Sequence, residues 1–191
     1  MLSTALIFLI ETAAGLFTVA FLLRFFLQWT RAAQRNPVAD FVNALTNFAV
    51  RPARRVIPGL WGLDLASLFL AWLVQLIELF LVLQLKGYQL GPAAGQAIAA
   101  ILLLAAVMLF RIALYILIFI VIVQAVVSWV NPYSPIAPIL NTLARPFLRP
   151  FQRMIPPVAN VDLSPLFLII VCQLLLMVVV AYMEVALTAF L

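Results

Sequence analysis

The chain has 191 residues, of which 68% are hydrophobic and 9% charged, with a formal net charge of +5. A soluble domain averages about 45–50% apolar and about 25% charged residues, so this composition excludes a water-soluble surface and makes the bilayer the solvent. Histidine is absent and cysteine occurs once, at Cys172, which excludes an internal disulfide and removes the usual parts of a haem ligand, a zinc site or a Ser-His or Cys-His nucleophile pair.

The first apolar run, Leu2–Trp29, has no basic leader and no small-x-small cleavage site followed by a polar continuation, so it reads as a spanning helix rather than a signal peptide. It carries Glu11 and Arg24, the latter near enough to Trp29 to snorkel. The linker 30–64 follows, rich in Arg, Pro and Asn. Within it Val38, Phe41, Val42, Leu45, Phe48 and Ala49 fall at helical spacing, with Asp40, Asn43, Thr46 and Asn47 on the far side. Pro37 suits a first helical turn, and Pro52 is expected to end or kink the helix. Asp64 is placed to cap the second run, Leu65–Leu85, with Arg55 as its expected partner. That run contains Gln75 and Glu78. A short turn, 86–96, holds Gly87, Gly91, Pro92 and Gly95. The third run, Ala97–Val130, has 34 residues, about 51 Å as a helix, against about 30 Å of hydrocarbon. It must tilt, protrude or break, with Arg111 the expected place for a break. The linker 131–162 then repeats the pattern with Ile136, Ile139, Leu140, Leu143 and Phe147 against Asn141, Thr142 and Arg145. Pro150 is a second helix breaker, and Asp162, partnered by Arg153, a second cap before the run Leu163–Leu191. Gln124, Gln173 and Glu184 are further polar residues inside apolar runs.

The two linkers superimpose at a shift of 98, with 15 identities over the 40 positions from Asn36 to Gln75. Pro37/Pro135, Asn43/Asn141, Arg51/Arg149, Pro52/Pro150, Arg55/Arg153, Pro58/Pro156, Asp64/Asp162 and Gln75/Gln173 all correspond. N-terminal to the linkers the shift becomes 100, pairing Trp29 with Trp129. The chain is therefore an internal duplication, with the first copy over residues 1–92 and the second over 93–191, together one transmembrane domain. Two crossings per copy return the chain to its starting side, so the copies share one orientation and inverted repeats are excluded. The fold class expected is all-α: four transmembrane helices as two parallel tandem repeats, each with an amphipathic linker helix lying in the membrane interface.

Eight of the eleven basic residues lie in the linkers: Arg31, Arg35, Arg51, Arg54, Arg55, Arg145, Arg149 and Arg153. The positive-inside rule places both linkers in the cytoplasm and both termini outside, with Trp29, Trp61, Trp129 and Tyr133 as the flanking aromatic belt. Arg51, Arg54, Arg55, Arg149 and Arg153 are expected to contact anionic headgroups or a partner protein, since a basic residue near such a surface is worth about 1 kcal/mol. No aromatic stacking residues interleave with them, so nucleic-acid binding has no direct signal. Glu11 and Arg111 correspond at a shift of 100 and carry opposite charges at equal depth. With Glu78 they form the expected buried charge cluster, either an ion pair of Arg111 with Glu11 or Glu78 or part of a transport path.

Trp29, NP-x6-A-L from Asn36, RPARRVIP from Arg51 and Asp64-Leu65-x-Ser67 recur as Ser128-Trp129, SP-x6-T-L from Ser134, RPFQRMIP from Arg149 and Asp162-Leu163-Ser164-Pro165. On these residues the chain resembles the YggT family of bacterial membrane proteins, over nearly its whole length. The first copy departs in Ala66-Ser67, where the second has Ser164-Pro165. The resemblance implies a small polytopic inner-membrane protein, with family associations to osmotic-stress tolerance, ion homeostasis and cell division or shape, and in plastid relatives to nucleoid distribution and cytochrome assembly. It implies no enzymatic activity and no cofactor, and the lack of histidine speaks against direct haem ligation.

Two functions are expected to compete. One is a membrane scaffold or assembly factor, linked to osmotic-stress tolerance or cell-envelope organisation and acting through its linkers, with anionic lipid, copies of itself or other membrane proteins as partners. The other is a small oligomeric channel or transporter. Few polar residues are available to line a pore within one chain.

Overall fold

The computed structural model describes residues 2–32, 36–59, 62–88, 94–131, 133–154 and 162–190. Arg35, Trp61, Gly91, Pro92 and Pro156, all used in the sequence reading, lie outside the described residues. The described chain is helical and without strands: α1 (Leu2–Trp29), α2 (Pro37–Val56), α3 (Leu65–Leu85), α4 (Ala94–Val130), α5 (Ala137–Met154), α6 (Ser164–Leu174), a π-helical stretch (Leu175–Val180) and α7 (Ala181–Thr188). Four units are long and apolar enough to cross a membrane: α1, α3, α4, and α6 with its π-helical and α7 continuation. α2 and α5 are the two linkers.

Each first span packs on the second span of its own copy, α1 on α3 and α4 on α6–α7, and the copies meet mainly through α3 and α4. α2 lies against α1 and α3, and α5 against α4 and α6. One main core runs through this contact, from Phe21, Leu22 and Leu27 of α1 through Ala66 and Ala71 of α3 to Leu114, Leu117 and Val121 of α4, Leu143 and Leu148 of α5 and Leu168 of α6. Small residues such as Ala66, Ala71 and Ala105, all fully buried, let the helix backbones approach where lipid offers no hydrophobic drive for association.

α4 is a single unbroken α-helix of 37 residues, so Arg111 marks no break. The prolines likewise do not end the linker helices. α2 continues past Pro52 to Val56, and α5 past Pro146 and Pro150 to Met154. A proline removes one N–H and crowds the carbonyl four residues back, and neighbouring contacts hold these helices together across that defect. The ends of α1 and α3 close alike. Ala32 and Tyr88 donate their N–H to the carbonyls of Leu27 and Leu83, around a left-handed residue that is Gly87 in one case and Arg31 in the other.

The π-helical stretch in the fourth span keeps one face inward. Ser164, Leu168, Cys172 and Val180 are buried, at spacings that are multiples of four. Each four-residue step overshoots a 3.6-residue turn by about 40°, a drift of about 160° over the whole stripe. The single extra residue of a π-turn takes back about 100°, which leaves Val180 on the side of Cys172.

Candidate functional site

Asp64 caps α3 as the sequence implies, and it does more. Its carboxylate accepts from the Ser67 backbone N–H (3.3 Å) and the Ser67 hydroxyl (2.7 Å). It also receives two arginines. Arg54 donates through Nε (3.2 Å) and Nη2 (2.5 Å), and Arg24 Nε stands 3.5 Å away. Asp64 is 1% exposed and Arg24 8%. Burial alone pushes the Asp64 carboxyl up, but the hydrogen bonds from Arg54 and Ser67 outweigh it and hold the carboxyl below its ordinary range.

Arg24 therefore does not snorkel. Its Nη1 donates to Thr46 Oγ1 (2.7 Å) and Asn47 Oδ1 (3.0 Å) of α2. This contact overturns the expected orientation of α2. The polar edge formed by Thr46 and Asn47 turns toward the bundle to satisfy the arginine, with Ala39, Val42 and Val50 beside it. Phe41 and Phe48 are left 68% and 67% exposed. α5 follows its sequence pattern instead, burying Ile139, Leu140 and Leu143 and exposing Asn141, Arg145, Arg149 and Arg153.

The partner of Asp64 is Arg54, not Arg55, because residue 54 faces the bundle while residue 55 faces away. Arg54 is thus held by Asp64 and by Gln28 Oε1 (2.8 Å), with its side chain still 42% exposed. Arg51, Arg55, Arg149 and Arg153 are exposed. The second copy repeats the arrangement with amides in place of arginines. Gln152, at the position of Arg54, donates to Asp162 Oδ2 (2.9 Å), so the expected Arg153 partner is also displaced by one residue. Gln124, at the position of Arg24, donates to Asn141 of α5 (3.1 Å). Asp162 accepts from the Ser164 N–H (2.9 Å) one residue before the capping position, which Leu163 occupies. Burial raises this carboxyl too, and hydrogen bonds from Ser164 and Gln152 bring it below its ordinary value.

The expected charge cluster is only partly assembled. Arg111 forms its ion pair with Glu184 of α7, at 2.8 Å, and not with Glu11 or Glu78. The cause is packing: α4 lies along α7 and meets α1 over a smaller area. Glu78 instead accepts from Gln75 Nε2 (2.6 Å), which also lies 3.2 Å from Thr18 Oγ1 across the α1–α3 contact. Glu11 and Arg111 both remain within electrostatic reach of Glu78, but Glu11 is itself exposed on the apolar surface, as is Gln173. Cys172 is buried as a small hydrophobe.

A cavity of about 280 Å³ lies beside the arginine network, lined by Arg24, Leu27, Gln28, Ala39, Asn43, Asn47 and Arg54. A far smaller one, about 70 Å³, lies at the matching place in the second copy, lined by Gln124, Ser128, Ala137, Leu140 and Asn141. Sequence reasoning singled out Arg54 and Asp64 but not their union with Arg24. The signal available was the replacement of Arg24 and Arg54 by Gln124 and Gln152 in the duplicate.

The family model for CCB3/YggT matches the chain in two segments, residues 3–85 and 100–183, one per copy. An uncharacterised protein of Pseudomonas aeruginosa is 37% identical over 181 residues, covering 94% of this chain and 90% of its own. The uncharacterised protein YggT of Escherichia coli is 32% identical over 167 residues, covering 86% and 84%, and an uncharacterised protein of Haemophilus influenzae is 25% identical over 158 residues. No solved structure matches. Matched in both copies of its repeated unit, and by relatives along nearly all of its length, this chain belongs to the CCB3/YggT family.

Proposed function

We propose that the protein is a non-enzymatic scaffold or assembly factor of the bacterial inner membrane, serving envelope organisation or tolerance of osmotic stress. Its linkers lie in the cytoplasm and its termini outside. The observation that carries this reading is the clamping of both linker helices to the spans. Arg24 and Arg54 tie α2 to Asp64, while Gln124 and Gln152 tie α5 to α4 and to the start of α6. Helices fixed in this way hold Arg51 and Arg55 on one linker, and Arg145, Arg149 and Arg153 on the other, at constant spacing. Amphipathic helices of this kind lie at the interface, and their arginines suit anionic headgroups or an acidic partner surface. The polar groups inside the bundle pair with one another in short chains, Thr18 with Gln75 and Glu78, and Arg111 with Glu184. That pairing favours a structural role over an aqueous path.

Two measurements test the reading. A cysteine at Met154, an exposed position, should be shielded from an impermeant thiol reagent in intact cells, and labelling there would reverse the orientation. Proteoliposomes should show no ion flux above that of empty liposomes. A flux that scales with protein and is lost in Glu78→Gln or Arg111→Leu would replace the scaffold with a small oligomeric channel.

A further inference from the structure

The cavity at the arginine network is rich in hydrogen-bond donors. Arginine has only donors, so the amide oxygens of Gln28 and Asn47 must face Arg54 and Arg24, as they do at 2.8 and 3.0 Å. What each amide leaves over is its NH₂ group. The Asn43 amide makes no hydrogen bond among the described residues, and neither does Arg24 Nη2 or Arg54 Nη1. The wall therefore combines two guanidinium groups with three amides, of which only Asn43 leaves an acceptor oxygen over beside its NH₂. Among the described residues no carboxylate lines it, and Asp64, fully buried, offsets only one of the two positive charges. Arg51 adds a third positive charge within electrostatic reach of Arg24.

The second copy supplies the comparison. The same place there holds about 70 Å³, has Gln124 for Arg24 and Ser128 for Gln28, and has no arginine among its described lining residues. Room for two or so waters is enough to hydrate such a site, whereas about 280 Å³ corresponds to several water volumes. Enlargement and positive charge occur together, and only in the first copy.

We propose that this cavity binds a phosphate-type oxyanion, either the phosphate monoester of a lipid headgroup or free inorganic phosphate. Fork-shaped guanidinium edges and amide donors match a tetrahedral anion with several acceptor oxygens. Its position beside the last two turns of α1, at Arg24 and Gln28, suits a headgroup entering from the linker end of the bundle. This inference does not depend on the scaffold reading, because a channel or a scaffold could carry the site.

The test uses the full-length purified protein. In detergent, inorganic phosphate should raise its unfolding temperature and chloride at equal ionic strength should not. In nanodiscs, phosphatidic acid should do so relative to phosphatidylcholine. A response to inorganic phosphate assigns a soluble ligand, and a response to phosphatidic acid alone assigns a lipid. Asn43→Asp, which puts a carboxylate on the wall without touching the Arg24–Asp64–Arg54 contacts, should weaken the response at least about tenfold, since like charges at a contact cost several kcal/mol. Asn43→Leu should weaken it as well, and serves if the Asp variant does not fold. The matched Asn141→Asp in the second copy should leave it unchanged, and Arg149→Gln with Arg153→Gln on the open face of α5 should leave the response to inorganic phosphate unchanged. Absence of any response in the wild type overturns the proposal. So does a response to inorganic phosphate lost equally in the α5 variant, or a phosphatidic acid response that Asn43→Asp leaves untouched, since either would place the anion on the surface arginines.

Discussion

Replacing Asp64 with Asn keeps the shape of the cap and removes the charge that two arginines share. The cost falls mainly on Arg24, whose side chain is 10% exposed and meets no other carboxylate among the described residues. Breaking a buried pair in this way typically costs about 3–5 kcal/mol, because the remaining charge stays unpaired. Arg54 is 42% exposed in its side chain and can return to water, so its share is about 0–1 kcal/mol. The matched change Asp162→Asn disturbs only an exposed carboxylate with a neutral Gln152 partner, worth about 1 kcal/mol. Unfolding in mixed micelles titrated with SDS should therefore separate the two variants by at least about 2 kcal/mol. The double variant Arg24→Gln with Asp64→Asn removes both buried charges and leaves an amide at each position, so it should recover most of the loss. Equal costs for Asp64→Asn and Asp162→Asn, or no recovery in the double variant, would refute the account of the network.

Asp64 also sets a pH dependence. Its carboxyl is held below the ordinary range in the folded protein, so its contribution is complete above the unfolded pKa of about 4 and is lost as pH falls through the lower folded value. The stability gap between wild type and Asp64→Asn should close on acidification, and a gap that is constant from neutral to acid pH would contradict this. A double-mutant cycle of Arg111→Leu with Glu184→Gln should show a coupling of about 1 kcal/mol, discounted because both side chains are partly exposed, while cycles of Arg111 with Glu11 or Glu78 should show less. Deleting Met177, exposed within the π-helical stretch, removes its one extra residue, so the stretch should close as α-helix and leave Glu184 facing Arg111. A coupling lost on the deletion would contradict the reading of the stretch as a single inserted residue.

The spans, their number and the duplication were all legible in the sequence, since length and hydropathy locate spanning helices and the matched linkers reveal the copies. What hydropathy cannot give is rotation. α1 and α4 are apolar on every side, so nothing in their pattern fixes which face meets which neighbour. For that reason the depth of Arg111 was readable while its partner Glu184 was not. In α2 the apolar stripe pointed to the wrong face, because one buried arginine outweighed two phenylalanines. The cost of an unpaired guanidinium exceeds the gain of burying Phe41 and Phe48 where lipid can already cover them. The one-residue error at Arg54 and Arg55 has the same origin, since a shift of one position turns a helix by about 100°.

The unbroken α4 has a consequence for the bilayer around it. At 37 residues it is about 55 Å long, whereas α3, at 21 residues, is about 32 Å. A hydrocarbon layer of about 30 Å fits α3 without distortion, but even a lean of 40° leaves α4 about 12 Å too tall. The protein therefore presents its lipids with a rim of unequal height, close to flush along α3 and raised along α4. Lipids at the raised side must stretch their chains or leave exposed residues such as Ile98, Trp129 and Val130 in the headgroup layer. Hydrophobic mismatch of this kind is concentrated on one flank of the molecule. A thicker bilayer relieves it there, and a thinner one increases it.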